Sequence, residues 1–448
     1  MSPTPTPLDD EALQRFLRDG YITLDAGLDA DFHRDVYEEV DRLFEAESNP
    51  GNNILPRVPG IRRVLDSPPV HGALKSLLGV DYYLHAHRFC HYRQAGSEAQ
   101  QLHKDSWSRR HHRTRWCMAF YYPQDTTEEM GPTGIVPGSQ YLNGPPDPDG
   151  EVALAGRAGT VTIVHYDLWH RGLANTSDRK RYMLKFLFTR LDEPAADGRG
   201  PAVFDEEDPR APLWRSMWRW QTGHAGPAGS RVSSGEVTEL AADLGAEDET
   251  RAQHAAYRLG ESADTAAVGA LLEGLRSGAG GVRRNAAYGL TAVGAAAVPG
   301  LVECLAHGDA GLRAAAVDAL GDLGRQAAEA APSVSASLED EDLEVRRQAA
   351  HALGTMGADS AVPRLAEACS EEDDWVARNA SLSLARLGAP AEEALPALGR
   401  ALDHDNRYVR ANALRCLQRI DSSGAREMLY HHLATSRWCP ITASGTPY

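Results

Sequence analysis

The sequence has fewer basic than acidic residues and no C-x-x-C motif, and each shortage argues against a class of protein. Lysine and arginine total 46 against 63 acidic residues, a formal net charge of −17, and only four of the 46 are lysines. General nucleic-acid binding depends on neutralising phosphates, so this acidic excess argues against it. None of the six cysteines forms a C-x-x-C pair. We therefore expect neither a zinc knuckle nor a disulfide framework, and reduced thiols.

Long apolar runs are also scarce. No uninterrupted apolar run approaches the roughly 20 residues that a membrane helix needs. The first residues show neither the basic nor the apolar segment of a secretory signal. We therefore expect a cytoplasmic protein with no membrane partner. A length of 448 residues predicts two or three domains.

The second half of the chain repeats with a period of about 30 residues. Matching segments begin at aliphatic positions spaced by 30, 33, 31 and 33 residues: Val282, Leu312, Val345, Val376 and Val409. In each segment an alanine follows four residues later and a leucine eight residues later, so the three share one helical face. These segments resemble HEAT-like repeats of the phycocyanobilin-lyase type, which implies an α-solenoid.

Two kinds of residue mark the ends of the predicted repeat helices. Acidic residues that suit N-caps precede several first helices: Asp309, Asp342, Asp373, Asp374 and Asp405. Prolines that suit the first turn of a second helix lie between them: Pro299, Pro332, Pro363 and Pro396.

The first half has a different pattern. Residues 9–47 have helical spacing, interrupted by a short strand at residues 21–24, and residues 82–190 alternate short strands with Gly/Pro turns. Many short strands in one domain predict a sandwich or barrel. We place the domains at 1–195 (strand-rich), 196–246 (linker), 247–435 (repeats) and 436–448 (tail). A tryptophan-rich helix at residues 213–220 interrupts the linker, and we favour a clamp between the domains over a border of the active site.

The segment around His103 carries the candidate chemistry. In a strand, His103 and Asp105 point to the same face and present one imidazole and one carboxylate together. A third ligand is available at His170, shortly after a predicted strand at residues 160–164. Two histidines and one carboxylate on one face form the facial triad of non-haem Fe(II) oxygenases. A single His-x-Asp pair is a weak signal by itself.

Three further motifs strengthen this interpretation by their order in the chain. They are Phe16-Leu17-Arg18-Asp19-Gly20-Tyr21, the Gly/Pro-rich segment 131–140, and the segment 171–181 after the distal histidine. With the His-x-Asp pair, this layout resembles the phytanoyl-CoA dioxygenase family of Fe(II)/2-oxoglutarate oxygenases over about residues 9–192. The resemblance implies a double-stranded β-helix, a cupin-like jelly roll, followed here by the all-α HEAT-type solenoid.

The resemblance also assigns roles to particular residues. It makes His103, Asp105 and His170 the iron ligands and Arg181 the residue that binds the far carboxylate of 2-oxoglutarate, with O₂ as second cosubstrate. A guanidinium suits that task because it binds carboxylates bidentately and stays charged. Arg179 and Lys180 are rivals. We favour Arg181, because it shares a strand face with Met183 and Lys185.

Two positions depart from the family pattern. Gln140 replaces a histidine that is not a metal ligand. Gly172 replaces a hydroxyl residue two positions after the distal histidine, so one cosubstrate hydrogen bond is missing or comes from elsewhere, for example from Thr133.

Substrate clues are faint. Trp107, Arg109 and Trp169 flank the predicted ligands and are candidate pocket residues. The basic segment at residues 109–113 could attract an anionic substrate, although a solvated loop is the simpler reading.

These patterns predict a dioxygenase that hydroxylates an unactivated C–H bond of a small molecule, in biosynthesis of a specialised metabolite. The repeats would be an interaction or recruitment surface. A second hypothesis is hydroxylation of a protein, a peptide or a carrier-protein-bound substrate docked by the repeats. A third is a binding scaffold with an inactive barrel, against which the intact triad and Arg181 argue.

Overall fold

The computed structural model describes residues 4–106, 111–224 and 226–435. The described chain divides into two units, one ending at Leu191 and the other beginning at Asp192.

Five helices stand at the start of the first unit or between its first two strands. They are α1 (Asp10–Asp19), α2 (Ala30–Glu47), α3 (Ile54–Arg57), α4 (Ile61–Leu65) and α5 (Pro68–Leu78). The side chain of Asp9 caps α1 by accepting a hydrogen bond from the Ala12 N–H. Gly20 ends this helix in a left-handed conformation, φ 81°, which glycine adopts without strain. The chain can therefore turn directly from α1 into the first strand.

Eight strands form two antiparallel sheets in this unit. They are β1 (Tyr21–Asp25), β2 (Tyr83–Arg93), β3 (Trp116–Tyr121), β4 (Thr133–Ile135), β5 (Val152–Ala153), β6 (Thr160–His165), β7 (His170–Gly172) and β8 (Arg181–Thr189). The larger sheet has the order β1-β6-β3-β8-β2, and the smaller has the order β5-β4-β7. Side chains of both sheets, among them Met118, Phe120 and Met183 from the larger and Ile135 from the smaller, share one buried cluster. The core therefore contains residues of both sheets.

The second unit is all helical in the residues that the structure describes. Its helices are α6 (Ala211–Gln221), α7 (Ser234–Asp243), α8 (Glu249–Gly260), α9 (Thr265–Arg276), α10 (Gly280–Val293), α11 (Val298–Cys304), α12 (Ala310–Leu323), α13 (Ala331–Ala336), α14 (Leu343–Met356), α15 (Val362–Ala368), α16 (Asp374–Leu387), α17 (Leu395–Ala401), α18 (Arg407–Ile420) and α19 (Ser423–Thr435). Helices α8, α10, α12, α14, α16 and α18 pack on one another in that order. A strand-rich domain followed by a helical repeat domain confirms the predicted fold class.

The predicted helix signals hold with two exceptions. Asp374 is the first residue of α16, where it is acidic in the first turn but is not the cap. The four prolines all lie in the first two positions of a short second helix. Asp309, Asp342 and Asp373 cap α12, α14 and α16 through their carboxylates. The prediction of Asp405 as a cap is wrong: Asn406 caps α18, with its side-chain oxygen accepting the N–H of Tyr408. The carboxamide of Asn406, one residue later, occupies the capping position, and Asp405 lies one residue before the cap.

The segment between the sheets and the repeats belongs to the second unit. The tryptophans of α6 are buried, and α6 packs on α8. The indole N–H of Trp220 donates to Glu193, and Arg215 forms an ion pair with Glu261 at 2.7 Å. The packing on α8 and the ion pair with Glu261 attach the tryptophan-rich helix to the repeats. Its role as a clamp between domains stays a prediction.

One described helical stretch is apolar enough to cross a membrane by length and composition. It spans Gly280–Cys304 and has a mean hydropathy of 1.3 in its most apolar window. Because 67% of that window is buried among the repeats, its apolar character is explained by helix stacking.

Glycine lets the repeat helices approach closely, and we expect Gly354→Ala to destabilise the repeats. An ideal Cβ at Gly354 would lie 2.6 Å from the Cα of Ser383 on the neighbouring helix α16. We expect a loss of about 1–3 kcal/mol, typical of overpacking, measured as a lower urea midpoint of the helical circular-dichroism signal.

The matched control is Gly269→Ala in α9, where a Cβ would meet no atom within 4 Å. This change should be neutral or stabilise by up to ~1 kcal/mol, because alanine favours helix more than glycine. Equal midpoints for the two variants would contradict the close-packing interpretation.

Candidate metal centre

His103 and His170 meet through their backbones. The two residues pair as an isolated antiparallel bridge: the His103 N–H donates to the His170 carbonyl at 2.9 Å, and the reverse bond measures 2.8 Å. Directly opposite residues of such a pair place their side chains on the same face. The imidazole centroids are accordingly 4.6 Å apart. With Asp105, two residues after His103, the side chains offer three ligand atoms that lie within 4.8 Å of one another.

Backbone carbonyls fix both imidazole rings. Nδ1 of His103 is 2.9 Å from the Gln101 carbonyl, and Nδ1 of His170 is 2.9 Å from the Leu168 carbonyl. A carbonyl oxygen only accepts, so each Nδ1 carries a proton, and in the neutral ring Nε2 then holds the lone pair. This tautomer is the one that a metal ligand needs. Burial also lowers the pKa of His170, to about 4, which keeps its imidazole neutral.

The carboxylate of Asp105 is held by a lysine. Its Oδ2 is 2.7 Å from Nζ of Lys185 and 3.8 Å from Nε2 of His170. Burial alone would raise the pKa of Asp105, but the charge of Lys185 and the neighbouring histidines outweigh that effect and lower it to about 2. Asp105 is therefore ionised and oriented. Our sequence reasoning missed this contact, although it placed Lys185 on the strand face of Arg181.

Two hydrogen bonds connect the segment that carries Asp105 with the segment just before His170. The hydroxyl of Ser106, next to Asp105, donates to the carboxylate of Asp167. The hydroxyl of Tyr166 donates to the Asp105 carbonyl at 3.3 Å. These contacts restrict how Asp105 can move relative to His170. Sequence reasoning missed Asp167 as well, and its only signal was its position three residues before His170.

Arg181 lies at the start of β8 and is 1% exposed. Its Nε and Nη2 donate to the Gly131 carbonyl, and its Nη1 is buried with no hydrogen-bond partner among the described residues. Burial lowers the pKa of this guanidinium, but arginine keeps its charge in proteins. Arg181 is thus a buried cation with a donor available to an anion.

The two rivals of Arg181 lie elsewhere. Arg179 is exposed. Lys180 forms an ion pair with Asp41 of α2.

The remaining predicted residues have mixed positions. Thr133 is buried opposite Gly172, and its hydroxyl accepts a hydrogen bond from Tyr122 at 3.0 Å. Trp169 is packed, with its indole N–H donating to the Leu142 carbonyl at 3.0 Å. Trp107 and Arg109 lie outside the described residues. The pocket roles of these residues stay predictions.

Comparison with protein families identifies both parts of the chain. Residues 16–183 match the family of phytanoyl-CoA dioxygenase (PhyH). Residues 237–320, 298–386 and 370–442 match HEAT repeats. Both resemblances predicted from the sequence are confirmed. No curated protein matches the chain at a significant level.

Several solved structures are similar to the first part of the chain. The non-haem α-ketoglutarate-dependent epimerase SnoN from nogalamycin biosynthesis is 21% identical, and the match covers 41% of this chain and 81% of that chain with a TM-score of 0.36. The apoform of EctD from S. alaskensis is 19% identical over 42% of this chain and 78% of that chain, with a TM-score of 0.37. The nickel complex of the non-haem monooxygenase ThoJ is 18% identical over 44% and 90%, with a TM-score of 0.35.

The cluster of His103, Asp105 and His170 should bind one divalent cation. We expect one equivalent of Co(II) in a spectroscopic titration of the full chain, and loss of most of that affinity in His170→Ala. Removing a direct ligand should cost more than the roughly 10–100-fold typical of an outer contact. The control is His431→Ala, which removes an exposed histidine of α19 and should bind as the parent does. Unchanged binding in His170→Ala would rule out this site.

Proposed function

We propose that this chain, which carries a phytanoyl-CoA dioxygenase domain at residues 16–183 followed by HEAT repeats, is a non-haem Fe(II)/2-oxoglutarate-dependent dioxygenase. Its reaction would be hydroxylation of an unactivated C–H bond of a small molecule. The observation that carries the proposal is the convergence of His103, Asp105 and His170, with the buried Arg181 on the adjacent sheet.

The donor set fits ferrous iron. Two imidazoles that present Nε2, with Nδ1 bonded to a carbonyl, and one ionised carboxylate are the ligands of the facial-triad oxygenases. Three protein ligands leave positions for other molecules. We therefore assign His103, Asp105 and His170 as the iron ligands.

The buried guanidinium fits 2-oxoglutarate. This cosubstrate has a carboxylate at each end, and a carboxylate far from the metal needs a charged donor in a dry site. Arg181 supplies that donor, because its Nη1 is buried without a partner in the described chain. Thr133 lies opposite Gly172 on the neighbouring strand, and we keep it as a secondary contact.

The bound iron, 2-oxoglutarate and O₂ would supply the oxidising chemistry, in which 2-oxoglutarate loses CO₂ and substrate C–H is hydroxylated. The chain's own residues prepare the site for that chemistry. The carbonyls of Gln101 and Leu168 fix the imidazole rings, and Lys185 orients Asp105. The ring of Phe120, 5.8 Å from that of His170, belongs to the apolar core that limits water.

The repeats have no part in this ligand set. We propose that they are an interaction or recruitment surface and that the protein works in the cytoplasm, in biosynthesis of a specialised metabolite. Docking of a peptide or carrier-bound substrate on the repeats is the alternative, and an inactive scaffold is the third hypothesis.

Anaerobic titration of the full chain with Fe(II) and 2-oxoglutarate tests the proposal. We expect a weak visible charge-transfer band that disappears in His170→Ala. In Arg181→Met the affinity for 2-oxoglutarate should fall roughly 10- to 150-fold, as a charge-assisted contact worth about 1.5–3 kcal/mol is lost. Arg179→Met is the matched control and should leave the affinity unchanged. An unchanged band in both site variants would refute the assignment.

A chain shortened to residues 1–191 tests where the site resides. All proposed ligands lie in this unit, so we expect the charge-transfer band to persist, and to vanish when His170→Ala is added. If turnover of a substrate also persists, that substrate is a free small molecule. If the shortened chain keeps the band but loses turnover, docking of the substrate on the repeats is favoured. A band lost in a folded shortened chain would contradict the proposed ligand set.

A further inference from the structure

Two arginines stand opposite each other at the end of the larger sheet. Arg93, the last residue of β2, pairs in register with Arg181, the first residue of β8. Residues directly opposite in an antiparallel ladder point to the same face, with Cβ atoms about 4.5–5.5 Å apart. Arg93 therefore shares the sheet face that carries Arg181 and Lys185. Like charges in such a pair repel each other unless an anion lies near them.

No carboxylate of the described residues neutralises this pair. Arg93 donates from Nη1 to the Glu98 carbonyl at 2.9 Å and from Nη2 to the Gly172 carbonyl at 2.7 Å. Arg181 donates only to the Gly131 carbonyl. Carbonyls fix the two guanidiniums in place but leave both positive charges uncompensated. Donors remain on both side chains, since a guanidinium has five N–H bonds.

The missing side chain at Gly172 explains how Arg93 reaches this position. An ideal Cβ at Gly172 would lie 2.5 Å from Nη2 and 2.9 Å from Nε of Arg93. Any larger residue there would displace the guanidinium. Gly172 follows His170 by two residues and pairs with Thr133. The guanidinium of Arg93 thus lies against the strand that carries His170, where the sequence lacks the expected hydroxyl group.

We propose that Arg93 is a second binding residue for the far carboxylate of 2-oxoglutarate, acting with Arg181 in place of a side-chain hydroxyl at position 172. This inference rests on the proposed function. The consequence is selectivity: two cations at one end of the site favour a 2-oxo acid that has an anionic tail over one that has none.

The test compares two 2-oxo acids on the full chain loaded anaerobically with Fe(II). Affinities for 2-oxoglutarate and for 2-oxobutyrate, which lacks the second carboxylate, are measured from the charge-transfer band. In Arg93→Met we expect about 10-fold weaker binding of 2-oxoglutarate, as for one charge-assisted contact, and little change for 2-oxobutyrate. Arg93→Lys, which keeps the charge, should recover part of the loss. Arg179→Met is again the control.

A second variant guards against a folding defect in Arg93→Met. Gly172→Ala should displace the guanidinium and weaken 2-oxoglutarate to a similar degree. Because both changes remove the same contact, their effects should not add in the double variant.

Two results would overturn the proposal. One is a folded Arg93→Met variant that binds 2-oxoglutarate as tightly as the parent chain does. This holds even if the variant binds the molecule to be hydroxylated more weakly. The other is an equal loss for both 2-oxo acids, which would indicate a general structural role. If the parent chain shows no band with 2-oxoglutarate, the proposed function itself fails. If the parent binds and Arg181→Met weakens binding while Arg93→Met does not, only this inference fails.

Discussion

The backbone pairing of His103 with His170 is the contact on which the candidate site depends. The two hydrogen bonds of this bridge place the imidazoles on one face and bring Asp105 beside them. Each ring is then fixed in the same way, by the carbonyl two residues before its own histidine. The ligand geometry follows from a short backbone pairing, and the bond between Ser106 and Asp167 supports it from the neighbouring positions.

Charge is the second constraint. One ionised carboxylate, that of Asp105, contacts Lys185, which shares a strand face with Arg181 and with Arg93 opposite it. A bound metal ion would add to this positive excess. A site of this kind favours anionic ligands, because each isolated buried charge carries a large desolvation cost unless an opposite charge compensates it.

The repeats follow simpler rules, since the first helix of each repeat packs mainly on the first helices of the adjacent repeats. Some capping aspartates have a second role between repeats: Asp309 accepts from Arg283 at 2.6 Å, and Asp373 accepts from Arg347 at 2.7 Å. Each of these aspartates thus caps the start of one helix and forms an ion pair with an arginine of the preceding repeat. Neither of these two contacts involves a candidate metal ligand.

The sequence by itself determined what depends on local spacing. Helical periodicity identified the repeats and their prolines, and strand alternation put Arg181 with Lys185. The same alternation predicted His103 beside Asp105, and the two are close, but His103 forms an isolated bridge and Asp105 lies outside any strand. The prediction from spacing failed at Asp405, because the adjacent Asn406 caps α18 instead. Only the tertiary structure decided that Lys185 holds Asp105, that Asp167 holds Ser106, and that Arg93 lies in the space beside Gly172. Those contacts join residues far apart in the chain, and local spacing does not specify which distant segments meet.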